Sequence, residues 1–257
     1  MKLPVVTPSP LAPGSLAGAT EARIGLARAG ASLATRDHLA FVGDHARARD
    51  AVWTAAGFDA LAQGVAALGL HVLRVRSRAG DRAAYLRRPD LGRRLDDESL
   101  ARLADAARSP QGRVALVVAD GLSAEAVDTN ALPVLRGLLA LLGPAGLAPA
   151  SVVLAEQGRV AIGDPVGEAL GASIVAVLVG ERPGLSAADS LGCYVTWNPR
   201  PGTPDSRRNC VSNIRDGGLA PAAAAARIAW LLREGLARGL TGVELKAPDE
   251  VRRIGGA

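Results

Sequence analysis

Along this chain, unbroken aliphatic runs of strand length alternate with segments whose apolar residues return every three to four positions. Residues 114–119 (VALVVA), 151–155 (SVVLA) and 173–179 (SIVAVLV) are continuous apolar runs, the pattern of strands buried on both faces. Residues 71–77 (HVLRVRS) alternate polar and apolar, and 194–197 (YVTW) and 243–245 (VEL) read as further short strands. The remainder of 180–215 reads as polar loops.

Helices fill the gaps. Residues 33–53 carry Leu39, Val42, Ala46 and Trp53 at helical spacing, which predicts one amphipathic helix. Asp96 is placed to cap a helix with Asp97 and Glu98 in its first turn and Leu100, Leu103 and Ala107 facing inward. Ser123 caps a helix after the 120–123 turn, and Pro133 falls in the first turn of a second helix that starts near Asn130 and is closed by Gly143. Asp164 and Pro165 cap and open a short helix running to Gly171, and a last helix runs from Pro221 to just before Gly239.

This alternation predicts an α/β fold: a doubly wound, mostly parallel sheet covered by helices, preceded by a small helical N-terminal region and a flexible arm. Residues 111–257 hold the sheet, and residues 21–110 form the mainly helical region. Residues 1–20 form the arm, with Pro4, Pro8, Pro10 and Pro13 set among small residues and no apolar period. A chain of 257 residues is long enough to bury a sizeable core.

Composition narrows the partners. Aromatic residues make up only 3% of the chain, so the core must be built from Leu, Val and Ala. The formal net charge is +5, yet the arginines are dispersed among acids with no aromatic-studded basic stripe. That pattern argues against nucleic acid and for a solvated surface with arginine–carboxylate pairs to a partner chain. No apolar run reaches the roughly 18 residues of a membrane span, and no short apolar stretch with a cleavage site opens the chain, so a cytoplasmic protein is expected. Cys193 and Cys210 are too few for a disulfide framework, and His38, His45 and His71 add no metal-ligand spacing, so no metal site is expected.

Candidate chemistry sits where the strands end. In α/β sheets, ligands bind outside the carboxyl ends of the strands, which is where the turn Gly180-Glu181-Arg182-Pro183-Gly184 follows the 173–179 run. The Glu181 carboxylate there is a candidate ligand contact, and is equally suited to pair with Arg182 or cap its own loop. Asp120, at the end of the 114–119 run, is a second candidate. No GxGxxG or Walker A pattern follows any strand. A nucleophilic Cys193 or Cys210 needs a base and an orienting group, and the three histidines all lie within the first 71 residues. An independent enzyme, or a nucleotide- or phosphosugar-binding module, is the alternative on fold alone. No catalytic residue is assigned.

The wording of the loops is more specific. YLRRPDLGRRL at 85–95, QGRV at 157–160, GERPGL at 180–185, DSLGCY at 189–194 and NCVSNIRDGG at 209–218 resemble the small subunit of ethanolamine ammonia-lyase, an adenosylcobalamin-dependent enzyme of two different chains. The resemblance covers most of the chain. It implies deamination of ethanolamine to acetaldehyde and ammonia by a radical mechanism, with the reacting groups held by the large subunit. The small subunit, inactive alone, encloses the cofactor in a hetero-oligomer of several large–small pairs, in the cytoplasm or inside a bacterial microcompartment. Residues 111–257 become the cobalamin-binding domain.

Carried over by motif, the cofactor-binding residues are Val160 in QGRV, Glu181 in GERPGL and Cys210 in NCVSNI. Core packing competes for Val160, whose contact can be main-chain only, and a buried structural thiol is the competing reading of Cys210. Proteins that ligate cobalt with a histidine use a D-x-H-x-x-G motif. Here His38, His45 and His71 are preceded at that spacing by Arg36, Gly43 and Gly69, so base-on cobalamin is expected.

Overall fold

The computed structural model describes residues 23–24, 26, 28–29, 31–107 and 113–246; the arm expected over residues 1–20 lies outside them. The helices are α1 (Thr35–Trp53), α2 (Phe58–Ala67), α3 (Arg82–Arg87), α4 (Asp97–Ala106), α5 (Ala124–Leu142), α6 (Gly163–Ala169) and α7 (Pro221–Arg238). The strands of the main sheet are β1 (His71–Arg76), β2 (Val114–Ala119), β3 (Ser151–Glu156), β4 (Ile174–Gly180), β5 (Leu191–Trp197) and β6 (Arg208–Ile214).

The continuous apolar runs become the middle of a six-stranded sheet with the order β1-β3-β2-β4-β5-β6. Every residue of β2 and of β4 is buried, as their patterns require. The pairs β1–β3, β3–β2 and β2–β4 are parallel, whereas β4–β5 and β5–β6 are antiparallel. The sheet is therefore mixed. The α/β reading holds, and the segment 209–214, read as polar loop, is strand β6. Its buried residues are Arg208, which shares a face with Cys210, and Val211 and Ile214, which face the first core across a register shift between Leu191 and Cys193, so no period of two is visible in the sequence. Residues 243–245, read as a strand, form a turn.

Two cores lie on opposite faces of the sheet. On one, Phe58, Leu61 and Val65 of α2, Val127, Leu135 and Leu142 of α5 and Ile228 and Leu232 of α7 pack on alternate residues of β2 to β6. On the other, Leu103 of α4, Val166 of α6 and Ile162 just before α6 pack on the intervening residues of β2, β3 and β4. No buried residue of β5 or β6 belongs to this second cluster, so that face of the antiparallel strands is left without a helix.

Ser123 and Asp96 cap as expected, each side chain accepting from the backbone N–H three residues on. Of the apolar residues expected inward on α4, only Leu103 is buried; Leu100 and Ala107 are exposed. The helix expected to start near Asn130 is instead one continuous α5, with Pro133 inside it. Proline forfeits one hydrogen bond there, and burial of Val127, Ala131, Val134, Leu135 and Leu138 on either side of it offsets the loss. By length and composition α5 is apolar enough to cross a membrane; here it is a core helix with nine buried residues.

Helix α1 forms over its expected range but does not bury its expected face. Leu39 and Trp53 are 62% and 56% exposed, Val42 is exposed too, and Ala51 is its one buried residue.

Candidate functional site

The open face of β5 and β6 meets the carboxyl ends of β2, β3 and β4 in two adjoining cavities of about 390 and 400 Å³. The first is lined by Arg159, Val160, Tyr194, Arg208 and Cys210 among others, and the second by Tyr85, Gly121, Val160, Gly180, Glu181 and Tyr194 among others. Arg159, Val160 and Tyr194 belong to both, so the cavities form one continuous groove.

Its floor depends on glycine. Gly121 has φ +60°, and a Cβ there would lie 2.2 Å from the Gly180 carbonyl oxygen; a Cβ on Gly180 would lie 2.1 Å from the Ser123 carbonyl. The turns after β2 and β4 thus pack backbone on backbone, joined by the Leu122 N–H donating to the Gly180 carbonyl at 2.8 Å.

The wall carrying Val160 is fixed from below by Asp120. Its buried carboxylate accepts hydrogen bonds from the backbone N–H groups of Gly121, Gln157 and Gly158, each at 3.0 Å. These bonds hold Gln157 at φ +54°, a left-handed conformation that a non-glycine residue keeps only when its surroundings impose it. The nearest guanidinium, that of Arg82, is 3.6 Å away. Burial outweighs these donors and pushes the Asp120 pKa up to about 6.

The RPD-containing motif packs against the same turn. The hydroxyl of Tyr85, a fully buried residue, donates to the Gly158 carbonyl at 3.2 Å, and the guanidinium carbons of Arg82 and Arg159 lie over its ring at 4.7 and 4.1 Å from the centroid. The Arg159 N–H donates to the Gly92 carbonyl at 2.8 Å, and a Cβ on Gly92 would come 2.8 Å from Arg159 Cγ. Burial raises the Tyr85 pKa further above its ordinary value, so the phenol is a fixed donor.

Val160, Glu181 and Cys210 all reach this groove. Val160 opens the short 3₁₀ turn Val160–Ile162, is half-buried and lines both cavities. Glu181 Oε2 accepts from Ser190 Oγ at 2.6 Å and from the Asn213 N–H at 3.2 Å, tying the β4 turn to the end of β6. Among the described residues it makes no ion pair with Arg182. Cys210 is exposed rather than buried and sits opposite Tyr194 in the β5–β6 ladder. Burial of its immediate surroundings still raises the thiol pKa, and it is raised far more at Cys193, which is fully buried on the opposite face.

A cysteine nucleophile finds no base here. His71 opens β1, paired with Ser151 at the start of β3, which is the end of the sheet away from the groove; His38 and His45 are exposed on α1. Among the described residues, no three His, Cys, Asp or Glu side chains come together as a metal site would need. Asp164, expected to cap α6, lies inside its first turn and pairs instead with Arg208, with both contacts at 2.7 Å. Sequence reasoning left out Tyr85, Arg159 and Tyr194. All three carry a signal, being two aromatics and an arginine within the motifs at 85–95, 157–160 and 189–194.

Comparison with known proteins identifies the family. The family model described as ethanolamine ammonia-lyase light chain (EutC) matches residues 13–246. The chain is 53% identical over 240 residues to the ethanolamine ammonia-lyase small subunit of Bradyrhizobium diazoefficiens, covering 92% of each chain. It is equally similar, at 53% over 240 residues, to that of Azotobacter vinelandii, covering 93% of this chain and 89% of the relative. The Rhodopseudomonas palustris small subunit is 54% identical over 227 residues, covering 88% and 87% of the two chains. The groove-building residues and the match over nearly the whole chain lead to one conclusion: this chain belongs to the ethanolamine ammonia-lyase light chain family.

Proposed function

We propose that this chain is the small subunit of an ethanolamine ammonia-lyase and that its groove holds one side of adenosylcobalamin against a catalytic large subunit. The observation that carries the reading is the convergence of Val160, Glu181 and Cys210, from three separate loops or strands, on one groove at the strand ends.

The residues present suit the group. The rim of a corrin carries neutral amide arms, which call for backbone donors and acceptors, small residues and an occasional carboxylate. The turns at Gly121 and Gly180 present backbone without side chains, and Glu181 keeps acceptor capacity beyond the two bonds it makes within the chain. Val160 contributes main chain, Tyr194 a phenol, and Cys210 an uncharged thiol at the wall. When bound, adenosylcobalamin supplies the radical that starts deamination of ethanolamine to acetaldehyde and ammonia. This chain's part is to bind, orient and exclude water. Among the described residues no cysteine lies beside a histidine, which supports assigning the reacting groups to the large subunit.

Co-expression with a candidate large subunit tests this. Co-purification and conversion of ethanolamine to acetaldehyde with adenosylcobalamin are expected from the pair and neither activity from the chain alone. Deamination by the isolated chain would overturn the division of labour. The base-on form is supported by the lack of a D-x-H-x-x-G motif and by the place of His71 at the end of the sheet away from the groove. Electron paramagnetic resonance of the cob(II)alamin complex, with nitrogen-15 protein and unlabelled cofactor, is expected to show nitrogen-14 hyperfine structure. A nitrogen-15 pattern would put a protein histidine on cobalt.

A further inference from the structure

Arg159 stands out among the arginines around the groove. Arg82 faces Asp120 at 3.6 Å, Arg88 pairs with Asp90 at 2.8 Å and Arg208 with Asp164 at 2.7 Å. Arg93 and Arg182 also line a cavity without an ion pair among the described residues, but both are exposed; Arg159 lines both cavities, is half-buried and has no carboxylate within ion-pair distance among the described residues. Its Nε is enclosed with no acceptor. A partly desolvated cation left in this way is costly until an anion reaches it.

The side chain is also held in advance of any ligand. Its guanidinium stacks 4.1 Å from the Tyr85 centroid, and Nη2 donates to the Tyr85 carbonyl at 3.2 Å. Its own N–H is bonded to Gly92, and the preceding Gly158 is held by both Asp120 and the Tyr85 hydroxyl. A planar fork with little freedom left to lose is suited to an oxyanion with two equivalent oxygens.

Resting on the cobalamin reading above, the choice of anion is narrow. The corrin rim is neutral, whereas the nucleotide tail contains a phosphodiester with one negative charge and two non-bridging oxygens. We propose that Arg159 is the binding subsite for that phosphodiester, with Tyr85 and Asp120 as the residues that position it. The tail then lies along the wall shared by the two cavities, next to the main chain of Val160.

The test compares corrinoids on the assembled two-chain complex, by equilibrium dialysis with absorbance readout. Cyanocobalamin carries the phosphodiester; dicyanocobinamide lacks phosphate, ribose and base; cobinamide phosphate restores the phosphate alone. R159Q is expected to weaken cyanocobalamin binding by about tenfold or more, the size of a lost charge-assisted pair. Cobinamide affinity stays within about twofold on the same scale, and cobinamide phosphate regains the sensitivity. R159K, which keeps the charge without the fork, falls between, and it carries the comparison if the glutamine variant does not assemble. Equal weakening of all three ligands, or of none, overturns the proposal. So does an R159K complex that assembles less readily yet binds all three corrinoids as the unaltered complex does, which assigns Arg159 to a carboxylate of the large subunit. If the unaltered complex binds no corrinoid, the cobalamin reading itself falls.

Discussion

Two buried aspartates beside the groove are held in opposite ways. Asp164, in the first turn of α6, meets Arg208 through two contacts at 2.7 Å, and Arg208 also donates to Thr196 Oγ1 at 3.0 Å and the Thr203 carbonyl at 2.7 Å. That is a closed ion pair tying α6 to the start of β6. Asp120 has three backbone donors and a guanidinium at 3.6 Å. Burial raises the pKa of both, but at Asp164 Arg208 opposes the effect directly. A closed pair serves the fold. A loosely compensated carboxylate that fixes a left-handed turn is a cost accepted where a loop must present a particular surface.

The sharpest way to break this contrast is to remove one half of the closed pair. D164A leaves the buried Arg208 guanidinium with only the exposed carboxylate of Asp205, 3.2 Å from its Nε, which is expected to cost about 3 kcal/mol, the low end for a broken buried pair, and to lower the melting temperature by roughly 6–12 °C. Thermal unfolding checks it; a shift of only a degree or two would show that the pair is not what ties α6 to β6.

D120N tests the other side. The folded pKa of about 6 lies above the ordinary 3.8, so the folded state binds the extra proton between those values. Asp120 therefore disfavours folding fully above pH 6, and that cost disappears as pH falls below about 4. Stability of the unaltered chain relative to D120N should rise by up to about 3 kcal/mol over that fall. At pH 8 the variant is expected to fold while corrinoid affinity drops, because Asn cannot accept all three N–H bonds. Urea unfolding at several pH values, with corrinoid binding at pH 8, decides it. A pH-independent difference between the two proteins would place the Asp120 pKa near its ordinary value.

Much of this was readable in the chain and some was not, for identifiable reasons. The runs that became β2 and β4, the caps Asp96 and Ser123 and the limits of α7 all rest on neighbours within four residues. Strand β6 was hidden because its buried residues Arg208, Val211 and Ile214 are three apart, lie on both faces of the sheet, and include a charge. The Asp164–Arg208 pair joins residues 44 apart, and the Asp120 bond to Gln157 spans 37. No local pattern encodes such contacts. Val160, Glu181 and Cys210 were found by resemblance to a family; the reason they meet, an uncovered face on the antiparallel strands, was visible only in the fold. Helix α1 makes a related point: its period announces a helix, but Leu39 and Trp53 find no core within the described residues.

Glu181 is an intermediate case, a half-buried carboxylate with two donors from its own chain. E181A is expected to weaken cobalamin binding to the assembled complex by about 1–2 kcal/mol, or roughly tenfold. Its unfolding free energy should change by less than about 1 kcal/mol, since little core is lost. Unchanged affinity together with a large loss of stability would reassign Glu181 to tying the β4 turn to β6.

The smallest effect carries the same contrast over to the two thiols. Cys193 is fully buried among Leu178, Val195 and other residues of the first core, whereas Cys210 is exposed on the open face opposite Tyr194. Serine in place of Cys193 would bury a hydroxyl in an apolar core, at a cost of about 1–3 kcal/mol. C210S should change stability by no more than about 0.5 kcal/mol, as for other exposed positions. Neutral iodoacetamide should then modify Cys210 in the isolated folded chain slowly, since its raised pKa keeps the thiol protonated, and leave Cys193 untouched until the chain unfolds. In the two-chain complex, cyanocobalamin should protect Cys210 from the reagent if that thiol forms part of the occupied wall. Labelling at the same rate with and without the corrinoid would remove Cys210 from the groove's binding surface and leave Val160 and Glu181 as its candidates.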